Sequence, residues 1–193
     1  MSEAKYHEHY MWSLHADKSK VFGVLNLPVE GEDFRQGFEF PVVVCGHDIH
    51  ADNTQLKVVT DTLASSRIVS YAIDLRGGGD SVKSDQMADG SEATVKTAAD
   101  DLACAADLML SEPFCDKAEL FLCGCGLSAE AALTEANRNQ AKYRGVIVLD
   151  APEQTSHAPE GMAVLHASLR DSQISEKVRD FVNDVIRNRW KQA

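Results

Sequence analysis

The stretch Cys123-Gly124-Cys125-Gly126-Leu127-Ser128 decides the fold of this chain. It follows a largely apolar run, Ala118 to Leu122, and precedes an alanine-rich segment, Ala129 to Ala136. An apolar run of this length is typical of a buried strand, closely spaced glycines permit a tight turn, and alanine favours helix. The sequence therefore predicts a strand, a tight turn and a helix in direct succession.

The rest of the chain repeats this alternation. Tyr6 to His15 and Lys20 to Leu27 predict an antiparallel edge pair, followed by a polar turn at Pro28 to Gly37. Further strands are predicted at Pro41–Cys45, Arg67–Ile73, Ala118–Cys123, Gly145–Leu149 and Met162–His166. Apolar residues at helical spacing predict four helices, marked by Leu56, Val59 and Leu63 after the caps Asp52 and Asn53, by Val95 to Met109, by Ser128 to Asn137, and by Val178, Phe181, Val182, Val185 and Ile186.

Strands that alternate with helices indicate an α/β fold, with a mostly parallel sheet and helices on both faces. The chain has 193 residues, of which 44% are hydrophobic, so we expect a single domain over residues 1–193. Its net charge of −11 disfavours nucleic acid and anionic membranes as partners. No apolar run approaches the roughly 20 residues of a membrane span, the first residues lack the apolar core of a signal peptide, and five cysteines fit reduced thiols. We expect a cytoplasmic protein.

The turn at Gly124 to Ser128 lies where a Gly-x-Ser-x-Gly motif presents a nucleophilic serine between a strand and a helix. Aligned on Gly124, the nucleophile position is Gly126, which has no side chain that could attack a substrate. The first question about function is therefore whether the chain is an enzyme.

Four short segments extend this comparison to most of the chain. They are Cys45-Gly46-His47-Asp48, Asp74-Leu75-Arg76-Gly77-Gly78-Gly79-Asp80-Ser81, Gly124 to Ser128, and His166-Ala167-Ser168-Leu169-Arg170-Asp171. In this order they resemble the α/β-hydrolase superfamily, in particular small bacterial esterases of the cinnamoyl-esterase type, over about Lys20 to Asp171. The resemblance implies that the catalytic acid corresponds to Asp171. It also implies that the backbone groups of the oxyanion loop correspond to His47, Asp48 and Leu127.

The departures from that family concern its catalytic residues. The nucleophile position is Gly126, and no histidine follows His166 to act as general base. The last strand with its histidine loop is missing, and the lid is reduced to Ala151 to Gly161. Asp48 falls where a backbone donor should face a developing negative charge, which an inward carboxylate would oppose. The resemblance thus predicts a trimmed fold with a degenerate catalytic site.

Besides Asp171, three residues remain as candidates for chemistry at this site. Ser128 would be the nucleophile of a shifted turn, but it is more readily a cap or first-turn residue of the following helix. Cys125 lies beside a helix N-terminus, which lowers a thiol pKa, so we expect it to be the most reactive of the five cysteines. Its side chain, however, occupies the variable position before the nucleophile. Asp150, at the end of a strand, is an alternative acid or a turn residue.

A set of thiols and imidazoles is expected near the strand ends: Cys45, Cys123, Cys125, His47, His50 and His166. Zinc takes such ligands in tetrahedral sets, but cysteine also packs as a small apolar residue within strands. We expect packing, with no metal and no cofactor.

Three functions remain open. The first is a protein without hydrolase activity that binds a small molecule or a protein partner at the crevice outside the strand C-termini, where open α/β sheets hold ligands. The second is an esterase or acyl hydrolase with an unorthodox nucleophile, Ser128 or Cys125. The third is a metal- or redox-responsive thiol protein. The missing last strand also predicts an exposed sheet edge, through which a homo-oligomer could form.

Overall fold

A computed structural model describes residues 5–29, 37–83, 93–152 and 155–191. The strands are β1 Tyr6–Leu14, β2 Lys20–Pro28, β3 Phe40–Gly46, β4 Val69–Ile73, β5 Cys115–Cys125, β6 Gly145–Leu149 and β7 Ala163–Ala167. The α-helices are α1 Lys57–Ser65, α2 Val95–Ser111, α3 Leu127–Arg138 and α4 Ile174–Trp190. Single 3-10 turns lie at Asn53–Leu56, Gly79–Lys83 and Gln140–Lys142. The polar turn predicted at Pro28 to Gly37 falls mostly outside the described residues, since 30–36 are not among them.

The strands form one seven-stranded sheet in the order β1-β2-β4-β3-β5-β6-β7. β1 pairs with β2 and β2 with β4 in antiparallel fashion, while β4, β3, β5, β6 and β7 run parallel. The predicted antiparallel edge pair and the mostly parallel sheet are both confirmed. Because the carboxyl ends of parallel strands share one edge, the loops after β3, β4, β5 and β6 meet there.

The sheet is covered on both faces, as predicted. Residues of α2 and α3, such as Leu102 and Leu133, belong to the apolar core on one face. Residues of α1 and α4, such as Leu63 and Val178, belong to the core on the other face. The parallel strands β3, β4 and β6 are almost wholly buried between these layers, which explains why the sequence of β3 is a continuous apolar run rather than an alternating one.

The sheet ends at β7, whose described pairing is with β6 alone. Only residues 150–162 separate β6 from β7, and only residues 168–173 separate β7 from α4. The apolar side of α4 packs onto the sheet, and the Phe181 ring meets the Phe121 ring edge-on at 6.4 Å between centroids. The helix predicted from Val178, Phe181, Val182, Val185 and Ile186 is present, and these residues form its packed side.

The predicted boundaries differ from the structure mainly at two places. β5 begins earlier and ends later than predicted, at Cys115 and Cys125, so the Cys125 side chain belongs to the strand rather than to the turn. β4 begins at Val69 rather than Arg67, because Arg67 turns the chain out of α1 with φ 64°. Within the described residues, no helix has both the length and the apolar character needed to cross a membrane.

Candidate functional site

Gly126 forms the turn between β5 and α3, with φ 56° and ψ −117°. This positive φ favours glycine, because a Cβ crowds the neighbouring carbonyl in left-handed backbone. Gly124 lets the helix approach the strand, since a Cβ there would lie 2.0 Å from the Ser128 carbonyl oxygen. The strand, sharp turn and helix predicted from Cys123 to Ser128 are therefore present, with Gly126 at the apex.

The space that a side chain at position 126 would need is filled by Asp48. An ideal Cβ on Gly126 would lie 2.2 Å from both Cγ and Oδ1 of Asp48. Asp48 Oδ1 accepts hydrogen bonds from the backbone N–H groups of Leu127, at 2.9 Å, and Ile49, at 2.8 Å. The N–H after the nucleophile position is the group that acyl-transfer enzymes direct at the developing oxyanion. Here it already binds a carboxylate oxygen of the protein itself.

His47 fixes the loop that carries Asp48. Its buried ring accepts a hydrogen bond at Nε2 from the Leu75 N–H, at 3.0 Å, so the ring proton is at Nδ1. Nδ1 then donates to the Asp48 carbonyl oxygen, at 2.6 Å. The Asp48 N–H donates in turn to Gln55 Oε1, at 2.8 Å. Both ring nitrogens of His47 are thus engaged with backbone, and the imidazole holds the loop instead of facing a substrate.

The loop at Asp74 to Ser81 is also held by its own polar side chains. Asp74 Oδ1 accepts from the N–H of Asn53, at 2.6 Å, and Asp74 Oδ2 from the N–H of Asp80, at 2.7 Å. Ser81 Oγ donates to the Asp74 carbonyl oxygen, at 2.6 Å, and accepts from the Phe22 N–H, at 3.0 Å. The segment that most resembles the hydrolase family joins β4 to the 3-10 turn at Asn53–Leu56 and to β2.

Ser128 lies in the first turn of α3 and is fully buried. Its hydroxyl donates to the His47 carbonyl oxygen, at 2.5 Å. Gly46 makes room for this contact, since a Cβ there would lie 2.8 Å from Ser128 Oγ. The structure therefore favours the interpretation of Ser128 as a first-turn residue over a shifted nucleophile.

Cys125 is buried at the end of β5, where its thiol has a pKa raised to about 12. Burial is the main cause, and the negative charge of Asp150 is the next. The expectation that the helix N-terminus lowers this pKa is wrong. Because the side chain belongs to the strand, it lies in the core beneath the turn, where burial outweighs any effect of the helix N-terminus.

The two acidic candidates lie in different places. Asp171 precedes α4, where it pairs with Lys177 and accepts from the Gln173 N–H at 2.9 Å, and Lys177 holds its pKa below the usual range. Asp150 follows β6 with φ 44°, and its carboxylate accepts from Ser168 Oγ at 2.5 Å and from the Leu169 N–H at 3.2 Å. Of the two, Asp150 borders the space in front of Gly126.

That space is a crevice of about 550 Å³ at the carboxyl ends of β3, β5 and β6. Its lining residues are Asp48, Val95, Gly126, Leu127, Glu130, Asp150 and Pro152. No histidine, lysine or arginine is among these described lining residues. His157 and His166 line a neighbouring depression instead, beyond Asp150. Glu130 was not predicted as a site residue, although its place four residues after Gly126 puts it on the first turn of α3.

The thiols and imidazoles considered as metal ligands are not assembled into a site. Cys45 and Cys123 face each other across β3 and β5 within the core, and their hydrogen bond together with burial raises the pKa of Cys123. His50 and His166 are exposed. In the part of the chain that the structure describes, no three His, Cys, Asp or Glu side chains are grouped to hold a metal ion. All five cysteines are free thiols.

The sheet order, the strained turn at Gly126 and the loops around it define an α/β-hydrolase fold. Several solved structures have the same architecture, although their sequence identity to this chain is low. A hypothetical protein from Pseudomonas aeruginosa superposes with a TM-score of 0.67 at 19% identity, over 78% of this chain and 44% of that one. Est1E from Butyrivibrio proteoclasticus, bound to ferulic acid, gives 0.61 at 16% identity, over 73% of this chain and 52% of Est1E.

A dienelactone hydrolase from Anabaena variabilis matches over nearly the full length of both proteins. The TM-score is 0.63 at 12% identity, over 95% of this chain and 98% of that one. No family model and no curated protein matches the sequence itself. This chain spans about half the length of the P. aeruginosa protein and of Est1E, so the likeness concerns the fold.

Proposed function

We propose that this chain uses the α/β-hydrolase fold without its hydrolytic chemistry, and that it binds a small molecule with a positively charged group in the crevice above Gly126. One observation carries the proposal. The Asp48 carboxylate fills the place of the missing nucleophile side chain and accepts a hydrogen bond from Leu127 N–H.

Acyl transfer needs a nucleophile, a general base and donors that stabilise the oxyanion. Gly126 supplies no nucleophile, and the described crevice residues include no histidine. Asp48 places a negative charge where the reaction would develop another one, which raises the barrier instead of lowering it. The alternative of an esterase using Ser128 or Cys125 lacks support, because both side chains are buried.

The charge of the crevice supports a cationic ligand. Asp48, Glu130 and Asp150 line it, and within the described residues none of the three pairs with a lysine or arginine. Their described partners are backbone N–H groups and hydroxyls, such as the Ser156 N–H that donates to Glu130 at 2.7 Å. The Val95, Leu127 and Pro152 side chains add apolar walls. A small molecule that combines an amidinium or ammonium with an apolar ring fits this chemistry.

The five free thiols support a reducing compartment, and we include a cytoplasmic location in the proposal. Among the described residues, no strand pairs with the outer side of β7, which supports association of two copies through this sheet edge. Sedimentation at increasing protein concentration measures that association.

Two experiments test the proposal. The purified protein should hydrolyse p-nitrophenyl acetate no faster than a denatured sample. A rate above that of the denatured sample that is lost in Ser128→Ala or Cys125→Ala would identify the substituted residue as the nucleophile. It would contradict the proposal that the chain has no hydrolytic activity.

Binding is measured by calorimetry with benzamidine as a cationic probe and benzoate as its anionic counterpart. We expect benzamidine alone to bind, and Glu130→Gln and Asp150→Asn each to weaken it about tenfold, on the scale of one lost charge contact. Glu160→Gln, which removes an exposed carboxylate outside the crevice, is the matched control. Equal binding of benzoate, or equal loss in the control, would contradict a cation site.

A further inference from the structure

A second group of reactive side chains lies away from the crevice, against α2. His15, in the turn between β1 and β2, contacts two residues one helical turn apart, Asp101 and Cys104. His15 Nε2 is 3.0 Å from Asp101 Oδ1, and His15 lines the same groove as Cys104, whose side chain is the second cause that raises the pKa of His15. The His15 imidazole is thus close to both the Cys104 thiol and the Asp101 carboxylate. Cysteine nucleophile sites combine the same three groups.

The imidazole is held in its charged form. The 3.0 Å contact with Asp101 is the main cause that raises the pKa of His15 to about 9, followed by the contact with Cys104. Asp101 is fully buried, so its charge acts through little solvent. An imidazolium beside a thiol favours the thiolate, which is the nucleophilic form of cysteine.

Cys104 is also the thiol that a reagent can reach. It is partly exposed, whereas Cys45, Cys115, Cys123 and Cys125 are all buried. Burial further raises the pKa of the Cys115 and Cys125 thiols. We therefore expect Cys104, and not Cys125 as the sequence indicated, to be the most reactive cysteine.

A groove of about 530 Å³ leads to Cys104. Its apolar walls come from Trp12, Leu14, Ala16, Ala103 and Leu108. The acidic residues on its rim are neutralised, since Asp100 pairs with Lys96 and Arg138 and Asp107 pairs with Lys142. The groove therefore suits a small uncharged molecule with apolar groups.

The position of Cys104 in the middle of α2 limits the reactions that its thiol can support. In mid-helix the surrounding backbone N–H groups are committed to the helix, so none is free to stabilise an oxyanion. Attack on a disulfide sulfur develops no oxyanion and needs only a thiolate, a leaving group and access.

We propose that Cys104 is a nucleophilic thiol, assisted by His15, that undergoes thiol–disulfide exchange with small uncharged disulfides bound in the groove beside α2. The Cys104 thiolate attacks one sulfur of the disulfide, the sulfur–sulfur bond of the reagent breaks, and a mixed disulfide forms on Cys104. The other half leaves as a thiolate and takes up a proton from the His15 imidazolium. The reverse exchange with a free thiol restores Cys104.

The test treats the full chain with 2-hydroxyethyl disulfide and follows adduct formation by intact mass and peptide mapping. We expect one rapid adduct per chain on Cys104, absent from Cys104→Ser. His15→Gln should slow it about tenfold or more, the scale of losing an adjacent cation. His157→Gln, which changes an exposed histidine elsewhere, should react like the parent. Glutathione disulfide should react more slowly, because both it and the protein, with a net charge of −11, are anionic.

A second measurement does not depend on a His15 variant remaining folded. In the parent, peptide mapping after brief treatment should find the adduct on Cys104 before it appears on Cys45, Cys115, Cys123 or Cys125, because those four thiols are buried. If another cysteine reacts first, if His15→Gln reacts as fast as the parent while folded, or if glutathione disulfide reacts equally fast, the proposal is wrong.

Discussion

Arg76 Nε lies 2.6 Å from Asp101 Oδ1, and the Arg76 backbone N–H donates to Asp101 Oδ2 at 2.9 Å. The loop after β4 is thereby tied to α2 through one buried carboxylate. His15 contacts the same oxygen, so Asp101 joins three separate parts of the chain. The two contacts at Oδ1 are short but not aligned as hydrogen bonds, so charge attraction dominates there.

Asp101→Asn should destabilise the protein by about 3 kcal/mol, because it leaves Arg76 and a charged His15 without their buried counter-charge. Urea unfolding measures the change. Asp107→Asn removes an exposed partner of Lys142 and should cost less than about 1 kcal/mol. Equal effects in the two variants would show that the Asp101 cluster contributes no more than a surface pair.

Stability should fall between pH 6.5 and 9 because of His15. Its folded-state pKa is raised to about 9 from an ordinary 6.5, so the folded protein binds this proton more tightly than the unfolded chain. The contribution is complete below pH 6.5 and is lost as pH rises through 9. Urea unfolding across this range should give a decreasing free energy for the parent and a flatter profile for His15→Gln. Parallel profiles would contradict the assignment.

Phe181→Asp should cost about 3 kcal/mol or more, since it places a charge where α4 packs on the Phe121 ring. Asn188→Asp adds the same charge at an exposed position of this helix and serves as control. Thermal melting measures both. A Phe181→Asp protein that melts within about 2 °C of the parent would place α4 outside the core.

Gly126→Ala should cost more than Gly161→Ala. Both glycines have positive φ, at 56° and 77°, so both variants carry backbone strain of about 1–2 kcal/mol. Only at position 126 does the new Cβ also meet Asp48, since nothing lies within 4 Å of a Cβ at Gly161. Asp48→Gly should relieve that extra cost in a double-mutant cycle measured by urea unfolding. A coupling energy near zero would mean that the carboxylate moves aside freely.

The fold was largely predictable because its signals are local and repeated. Continuous apolar runs such as Val42 to Val44 mark strands buried on both faces, and the glycines of the turn at Gly124 to Ser128 mark its sharp geometry. The predicted boundaries moved by only a few residues, as at Cys125, where pairing with Leu149 extends the strand.

The site was less predictable, because its chemistry depends on contacts between distant segments. Asp48 could be assigned to the oxyanion loop, but its inward orientation depends on the Leu127 N–H, 79 residues away. His15, Asp101 and Cys104 have no motif spacing, and they meet only because the β1–β2 turn folds against α2. The thiol pKa of Cys125 was predicted in the wrong direction, since sequence position near a helix does not show on which side of the turn a side chain lies.

The fit between Gly126 and Asp48 has a consequence for how this sequence can change over generations. The Asp48 carboxylate occupies the space that a serine side chain at position 126 would need. A lineage that replaces Gly126 first therefore loses stability before it can gain any activity. A lineage that first shortens Asp48 opens the space and frees the Leu127 amide, after which a serine can be accepted. The order of substitutions, and not only their identity, therefore decides which descendants of this chain are reachable by single steps.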